Sequence, residues 1–145
     1  MAWFSPDMPR PSPNMDDAGF WEGCAARRLR FQYCAQCATA RHPPTPICPA
    51  CRGTEVRWQE APAQAEVYTY TVIHYAAHPA VNVRLPYVAA VVTFAGVDGV
   101  RLVSNITDCE ASAVKIGMPV QLWWDDLGDG MFVPRFAPPG ARRSA

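Results

Sequence analysis

The stretch that decides the fold is CAQCATARHPPTPICPAC, which runs from Cys34 to Cys51. It contains two C-x-x-C pairs, Cys34 with Cys37 and Cys48 with Cys51. Each pair can bend into a tight turn with both thiolates on one side, and two such turns facing each other form a tetrahedral site for Zn²⁺. Because four sulfur ligands leave no open coordination position, the spacing predicts a structural metal in a small ribbon.

The same four cysteines are compatible with two other kinds of site. Paired disulfides are typical of small secreted proteins, but residues 1–13 contain prolines and no apolar run, so we expect no signal peptide. Rubredoxin-type iron uses the same ligands and geometry as zinc, and the sequence leaves it open. With either metal, a ribbon of this size draws its folding free energy from the ion, roughly 10 kcal/mol or more.

Composition indicates a globular protein without a membrane span. Half of the 145 residues are hydrophobic and the formal net charge is zero. The longest apolar stretch, residues 87–96, falls far short of the roughly 20 residues that a membrane helix needs. We therefore expect a buried strand there and a cytoplasmic location for the protein.

Charge divides unevenly along the chain. Residues 24–60 carry six arginines against two glutamates, a net charge of +4, whereas residues 61–140 carry four basic and seven acidic residues, a net charge of −3. This division does not suit a protein that lies along nucleic acid, where affinity comes mainly from neutralising phosphates. The basic half suits a compact anion or an acidic patch of a partner, although a solvated arginine face is an equally open interpretation.

The N-terminal part is predicted to be an extended arm followed by a short helix. Prolines 6, 9, 11 and 13 favour extended backbone over residues 1–14, which we expect to be ordered only against another surface. Asn14 is a suitable cap for a helix over residues 15–28. Phe20 and Trp21 lie close together on this helix, and they either pack on their own domain or anchor a partner protein.

After the ribbon, the pattern changes to alternating strands. The predicted strands cover residues 67–75, 87–94, 101–105, 118–124 and 131–136, with a turn over residues 96–99 that includes the hairpin signal Asp98-Gly99 and a helical turn over residues 110–115. Five strands with a small helix between the third and fourth are typical of a Greek-key OB barrel. An SH3-like barrel is the alternative, but it has no place for the segment 108–117.

The expected fold is therefore mainly β, with an N-terminal helix and a rubredoxin-like zinc ribbon followed by a five-stranded OB-fold barrel. The predicted units are an arm (1–14), the helix and ribbon (15–60), the OB-fold domain (61–137) and a flexible tail (138–145).

No group of residues forms a convincing catalytic constellation. The three histidines are scattered, and we expect His42 to be exposed on the ribbon. Cys24 and Cys109 are outside the C-x-x-C pairs and resemble small buried hydrophobes more than nucleophiles. Asp125, Asp126 and Asp129 are interpreted as turn residues between two strands. The sequence thus favours a binding or accessory role over a self-sufficient enzyme.

Several longer motifs are similar to those of one known family. They are FWEG at 20–23, the paired prolines before the second C-x-x-C, VYTYTVIH at 67–74, PYVAAVV at 86–92 and IGMPV at 116–120. In combination they resemble the zinc-ribbon plus OB-fold proteins encoded beside thiolases and acyl-CoA aldolases, which were first described as nucleic-acid-binding from their fold. The resemblance covers residues 16–138.

The resemblance implies a non-catalytic small subunit of an acyl-CoA-processing complex. Its partner would be a thiolase-fold subunit that supplies the catalytic residues for thiolysis, acyl transfer or retro-aldol cleavage, and the two would share a coenzyme A thioester as ligand. Cys34, Cys37, Cys48 and Cys51 would hold structural Zn²⁺, and Phe20 and Trp21 would contact the partner.

One position departs from the family pattern. Many relatives carry arginine directly after the paired prolines, where this chain has Thr45. If the ribbon contacts the phosphates of coenzyme A, Arg41 or Arg52 has to make that contact in place of the missing arginine. The alternative function is single-stranded nucleic-acid binding on the OB face, with Tyr68, Tyr70 and Tyr87 as stacking platforms.

Overall fold

The computed structural model describes residues 2–142, and within them the chain forms one α-helix and eight β-strands. In chain order these are α1 (Ala18–Ala25), β1 (Arg30–Cys34), β2 (Ala40–Arg41), β3 (Val56–Glu60), β4 (Gln64–Ile73), β5 (Tyr87–Phe94), β6 (Val97–Ile106), β7 (Pro119–Asp126) and β8 (Phe132–Ala137). Short 3₁₀ turns cover Pro79–Arg84 and Ala111–Ala113. The second of these turns lies where the sequence predicted helical backbone.

Helix α1 is shorter than predicted at both ends. The Asn14 side chain accepts hydrogen bonds from the backbone N–H groups of Asp16 and Asp17, at 2.8 and 3.2 Å, and so forms a separate turn ahead of the helix. The predicted start at residue 15 is therefore wrong, and α1 begins at Ala18. It ends before Arg27, whose φ of 56° is incompatible with continued right-handed helix.

Strands β1, β2 and β3 form a small antiparallel sheet with the order β2-β1-β3. Helix α1 packs on this sheet at Gly19, where an added Cβ atom would lie only 2.3 Å from the indole ring of Trp58 on β3. A glycine is needed there because any larger side chain would displace the indole.

The remaining strands close into a barrel with the order β4-β5-β6-β8-β7, and β4 pairs with β7 to complete it. This arrangement, preceded by the ribbon, confirms the predicted OB-fold class. Strand β5 shows why the prediction succeeded: its residues alternate strictly between buried and partly exposed, as one face lies on the core and the other does not.

The hairpin between β5 and β6 turns earlier than predicted. Phe94 pairs with Val97, so the turn consists of Ala95 and Gly96, and Gly96 takes a φ of 76°. Asp98 and Gly99, which we predicted to form the turn, are the second and third residues of β6. Gly99 also has positive φ, at 78°, and lies where the β5–β6 register shifts. Its Asp-Gly signal therefore marks a bulge in place of a turn.

A chain of aromatic rings joins the helix, the ribbon and the barrel. The ring centroids are 6.5 Å apart for Phe20 and Phe31, 5.3 Å for Phe31 and Phe94, and 6.0 Å for Phe94 and Phe136. These rings belong to one buried cluster. The ribbon therefore packs directly on the barrel, and the two share a hydrophobic core.

The N-terminal arm lies on the barrel of its own chain. Phe4 is buried, and its ring meets Tyr87 of β5 edge-on at 5.3 Å. The backbone N–H of Ser5 donates to the carbonyl of Ala80 at 3.2 Å. The surface that we expected to order the arm is thus internal to this protein. Of the predicted tail, residues 143–145 lie outside the described residues.

Candidate metal centre and partner surface

The four predicted ligands converge on one point. The sulfur atoms of Cys34, Cys37, Cys48 and Cys51 all lie within 4.8 Å of one another. The Cys34–Cys51 and Cys37–Cys48 sulfur pairs are 3.5 and 3.6 Å apart. A tetrahedral site with metal–sulfur bonds of about 2.3 Å has sulfur–sulfur edges of roughly 3.8 Å. The four cysteines are therefore positioned for metal binding.

The two C-x-x-C turns are built alike. In the first, the N–H of Ala38 donates to the carbonyl of Cys34, and in the second the N–H of Arg52 donates to that of Cys48. Ala38 and Arg52 both have positive φ, at 61° and 65°. The repeated geometry points two thiols of each turn toward the other turn, which is the arrangement that the C-x-x-C spacing predicted.

The electrostatic environment differs among these thiols. Cys34 and Cys48 are fully buried, and the Thr39 hydroxyl lies 3.1 Å from the sulfur of Cys37. Hydrogen bonds from the Thr39 hydroxyl and backbone lower the pKa of Cys37 to about 6, which favours the thiolate that binds a metal. At Cys51 the Gly53 backbone N–H favours the thiolate, but contacts with the sulfurs of Cys34, Cys37 and Cys48 raise the pKa to about 12. All six cysteines are free, which excludes the disulfide interpretation for this fold.

The two remaining cysteines take no part in the centre. Cys24 is 1% exposed, and its burial raises the pKa of the thiol to about 12. Burial also raises the pKa of Cys109, with the neighbouring Asp108 and Glu110 adding to the effect. Both thiols remain protonated at neutral pH, as expected of small hydrophobic residues.

His42 is not exposed, contrary to our expectation. Its ring lies 4.9 Å from the centroid of Phe20 and 5.4 Å from that of Phe31, within the junction between helix and ribbon. Burial lowers the pKa of His42 to about 4, opposed weakly by the charge of Asp17. No local pattern around His42 indicates this burial, because the rings that cover it lie on two other elements, α1 and β1.

We expect this histidine to make stability depend on pH. Because the pKa is lower in the folded protein than in the unfolded chain, the unfolded state binds the additional proton as pH falls from 6.5 toward 4. The free energy of unfolding should therefore fall by about 2 kcal/mol between pH 7 and pH 5.

The measurement is urea unfolding of the metal-loaded protein and of the His42→Phe variant at both pH values. The variant retains an aromatic ring but cannot bind a proton. The difference between the two proteins in how the free energy of unfolding changes with pH therefore reports on His42 and not on the cysteine site. Parallel pH dependences would show that His42 has an ordinary pKa.

The two aromatic residues predicted to contact a partner lie in different environments. Phe20 is 5% exposed within the shared core, so contact with a partner would require its withdrawal from the fold. Trp21 is half-buried and lines an open groove of about 390 Å³ together with His42, Tyr87 and Val103. Of the pair, only Trp21 is accessible on the folded chain.

The two arginines suggested for phosphate contact also differ. Arg41 is buried, and its Nη2 donates to the carbonyl of Thr45 at 3.1 Å, which holds the proline loop. Its Nε and Nη1 are buried without a partner. A phosphate could reach them only if residues 43–47 moved. Arg52 is exposed beside the metal centre and can be reached without any such movement.

The three tyrosines suggested as stacking platforms do not form an open row. The guanidinium of Arg101 covers the ring of Tyr68 at 4.1 Å. Tyr87 is in contact with Trp3 and Phe4 of the arm. Tyr68 is nevertheless 45% exposed, whereas Tyr70 is partly buried against the core. Of the three rings, only Tyr68 is exposed, and the arm competes with any base for Tyr87.

A buried polar cluster was missed by the sequence analysis. Asp125, interpreted as a turn residue, lies inside β7 and is fully buried. It accepts a hydrogen bond from Nε of Arg135 at 2.6 Å, and Nη1 of Arg135 donates to the side chain of Asn105. Asp125 and Arg135 lie on the two strands of the β7–β8 hairpin, whereas Asn105 comes from β6, which is the neighbour of β8 in the barrel. Among residues 2–142, no helix is long and apolar enough to cross a membrane.

Comparison with known proteins places both halves of the chain in one family. Residues 21–57 match the family model described as the ChsH2 rubredoxin-like zinc ribbon domain, and residues 58–125 match that of the ChsH2 C-terminal OB-fold domain. A solved structure titled Ltp2-ChsH2(DUF35) aldolase is similar, with a TM-score of 0.81 and 40% identity over 89% of this chain and 98% of that chain.

Two curated relatives are longer proteins. A probable enoyl-CoA hydratase alpha subunit of Thermomonospora curvata is 41% identical over 90% of this chain and 40% of its own length. The 3-oxo-4,17-pregnadiene-20-carboxyl-CoA hydratase alpha subunit of Mycobacterium tuberculosis is 33% identical over 84% of this chain and 38% of its own length. This chain thus spans about two fifths of these relatives. With the four-cysteine centre and the closed barrel, these matches show that the chain belongs to the ChsH2 family of zinc-ribbon and OB-fold proteins.

Proposed function

We propose that this protein is a non-catalytic small subunit of an acyl-CoA-processing complex and that its partner is a thiolase-fold subunit. The observation that carries the proposal is the 40% identity to the ChsH2 chain of an aldolase complex over 98% of that chain. The two curated relatives, a probable enoyl-CoA hydratase alpha subunit and a 3-oxo-4,17-pregnadiene-20-carboxyl-CoA hydratase alpha subunit, support the substrate class. Four sulfur ligands would leave the metal ion without an open coordination position for catalysis, as expected of an accessory subunit.

The metal in this proposal is Zn²⁺ with a structural role. Four thiolates at tetrahedral spacing suit zinc and complete its coordination, so the ion would stabilise the ribbon and leave substrate binding to other residues. Since the ribbon carries Phe31 into the shared core, the ion would also support the position of the barrel.

The direct test is co-expression with a thiolase-fold protein encoded beside this one, followed by size-exclusion chromatography and metal analysis. We expect both chains to elute together with one zinc per copy of this chain, and acyl-CoA turnover to require both chains. Separate elution, with full activity of the thiolase-fold protein alone, would overturn the proposal.

Trp21 is the proposed partner contact. Tryptophan is enriched among residues that dominate interface energy, and this one borders a groove on the folded chain. We expect Trp21→Ala to weaken the complex by about 2 kcal/mol or more. Titration of the thiolase-fold subunit by calorimetry measures this change.

The matched control is Tyr75→Ala, which removes an aromatic side chain that is 83% exposed and lies away from the groove. It should leave the affinity unchanged. If Trp21→Ala lowers the melting temperature of the isolated chain and leaves the affinity intact, the indole serves internal packing only.

Arg52 is the proposed contact with the phosphates of coenzyme A. It is exposed beside the ribbon, in the basic half of the chain, and makes no ion pair among residues 2–142. We expect Arg52→Ala to weaken coenzyme A binding by the complex by about 1 kcal/mol at low salt, and by less at 0.5 M salt because exposed charges are screened.

Arg101→Ala is the control for this change, since it removes an arginine of the barrel that lies over Tyr68. Equal losses in both variants would indicate a nonspecific effect of net charge, and no loss in Arg52→Ala would remove this residue from the coenzyme A site.

A further inference from the structure

The N-terminal arm roofs a cavity of about 540 Å³ on the barrel. Its walls are mainly apolar and come from the arm on one side and from the β7–β8 hairpin on the other, including Phe4, Met8, Pro9, Leu127 and Val133. Asn105 and Arg135 lie among these residues as polar groups. This volume and this mixture of many apolar residues with few polar ones are typical of small-molecule sites, which occupy roughly 300–1,000 Å³.

The polar group on the cavity wall is held rigidly. Nε of Arg135 donates to Asp125 at 2.6 Å and Nη1 donates to Asn105, while the rings of Trp3 and Phe4 each lie 5.0 Å from the guanidinium carbon. Nη2 has no hydrogen-bond partner in the part of the chain that the structure describes. A fixed guanidinium with a free N–H group is therefore available to a molecule in the cavity.

The two ends of the arm are attached to the barrel by different kinds of contact. At the near end, the N–H of Trp3 donates to buried Asp125 at 2.9 Å, and Arg84 donates to the carbonyl of Trp3. At the far end, Arg10 pairs with Asp129 at 2.9 Å and donates to the backbone carbonyl of Leu127 at 2.6 Å, and the side chains of the ion pair are 45% and 88% exposed. Such an exposed pair contributes little stability. Because the far end is held by solvent-exposed contacts and the near end by buried Asp125, we expect a ligand to enter from the far end.

The charges around the cavity select the kind of ligand. Arg135 is paired with Asp125 and Arg10 with Asp129, which leaves the carboxylate of Asp126 on the wall without a basic partner. An anion would therefore gain no net attraction here. We propose that the cavity binds a neutral, mainly apolar molecule whose carbonyl oxygen accepts a hydrogen bond from Nη2 of Arg135. This site does not involve the metal centre, but Phe4, Asn105, Val133 and Arg135 also line the groove beside Trp21, so the cavity borders the proposed partner surface.

The test uses the metal-loaded full chain and the fluorescent ketone 6-propionyl-2-(dimethylamino)naphthalene. Its emission moves to shorter wavelength when the naphthalene leaves water, so titration reports binding directly. The matched probe, 2-(dimethylamino)-6-propylnaphthalene, has the same ring and lacks the carbonyl. We expect saturable binding of one ketone per chain, with at least tenfold weaker binding of the propyl analogue that lacks the carbonyl.

Two variants locate the site without removing the buried arginine. Met8→Trp fills the cavity from the roof and Leu127→Trp fills it from the β7–β8 hairpin, at positions that do not line the groove beside Trp21, whereas Met15→Trp places the same side chain at a position that is 96% exposed. We expect each of the first two to weaken ketone binding at least tenfold and Met15→Trp to leave it unchanged, with melting temperatures measured for every variant. The proposal is overturned by absence of ketone binding, by equal affinity for both probes, or by binding that survives in a folded cavity-filling variant.

Discussion

Replacing Cys48 with serine is expected to abolish metal binding and unfold the ribbon. The sulfur of Cys48 is fully buried within 4.8 Å of the other three, and serine offers no thiolate to complete the set. Metal binding to four-ligand sites of this kind contributes on the order of 10 kcal/mol, which is comparable to the entire stability of an ordinary domain. Because Phe31 of the ribbon packs on Phe94, we expect the barrel to lose stability as well.

The measurement combines metal analysis of the purified protein with its thermal unfolding. Cys109→Ser is the control, since it makes the same atomic change at a half-buried thiol outside the centre. That variant should retain one metal ion per chain. A Cys48→Ser protein with full metal content and an unchanged melting temperature would contradict the four-sulfur site.

The second large effect is expected at Asp125. Asp125→Asn preserves the shape of the side chain and removes its charge, so Arg135 remains buried without a counter-charge. Breaking a buried ion pair in this way typically costs about 3–5 kcal/mol. We expect a loss of that size in the free energy of unfolding, measured by urea titration of the metal-loaded protein.

Asp129→Asn is the matched control for this substitution. It breaks the exposed Arg10–Asp129 pair, which should be worth less than about 1 kcal/mol. The double variant Asp125→Leu, Arg135→Met should be more stable than Asp125→Asn, since it leaves no charge unpaired in the barrel. If Asp125→Asn unfolds at the same urea concentration as the wild type, Arg135 must reach solvent in the native state.

The fold was largely predictable because its two halves carry strong local signals. In the ribbon, the C-x-x-C spacing names all four ligands, and the structure brings their sulfurs together. In the barrel, the apolar run that begins at residue 87 predicted β5 with the bounds that the structure has. The predicted boundaries of helices and strands were wrong where one local motif is compatible with two structures. Asp98-Gly99 can form a turn or a bulge, and Asn14 can cap a helix or form a separate turn.

The sequence by itself determined the metal ligands, the ribbon and the class of barrel, because spacing and alternation act between residues that are close along the chain. Only the tertiary structure decided the environment of His42, the burial of Asp125 against Arg135 and the position of the arm over the barrel. The environment of His42 and the position of the arm depend on contacts between separate segments: Trp3 and Asp125, for example, are 122 residues apart. The Asp125–Arg135 pair lies across the single β7–β8 hairpin, but the residues of that hairpin do not by themselves show that the pair is buried. Whether a charged or aromatic residue faces water or a neighbouring element is settled by packing, and no local pattern encodes that choice.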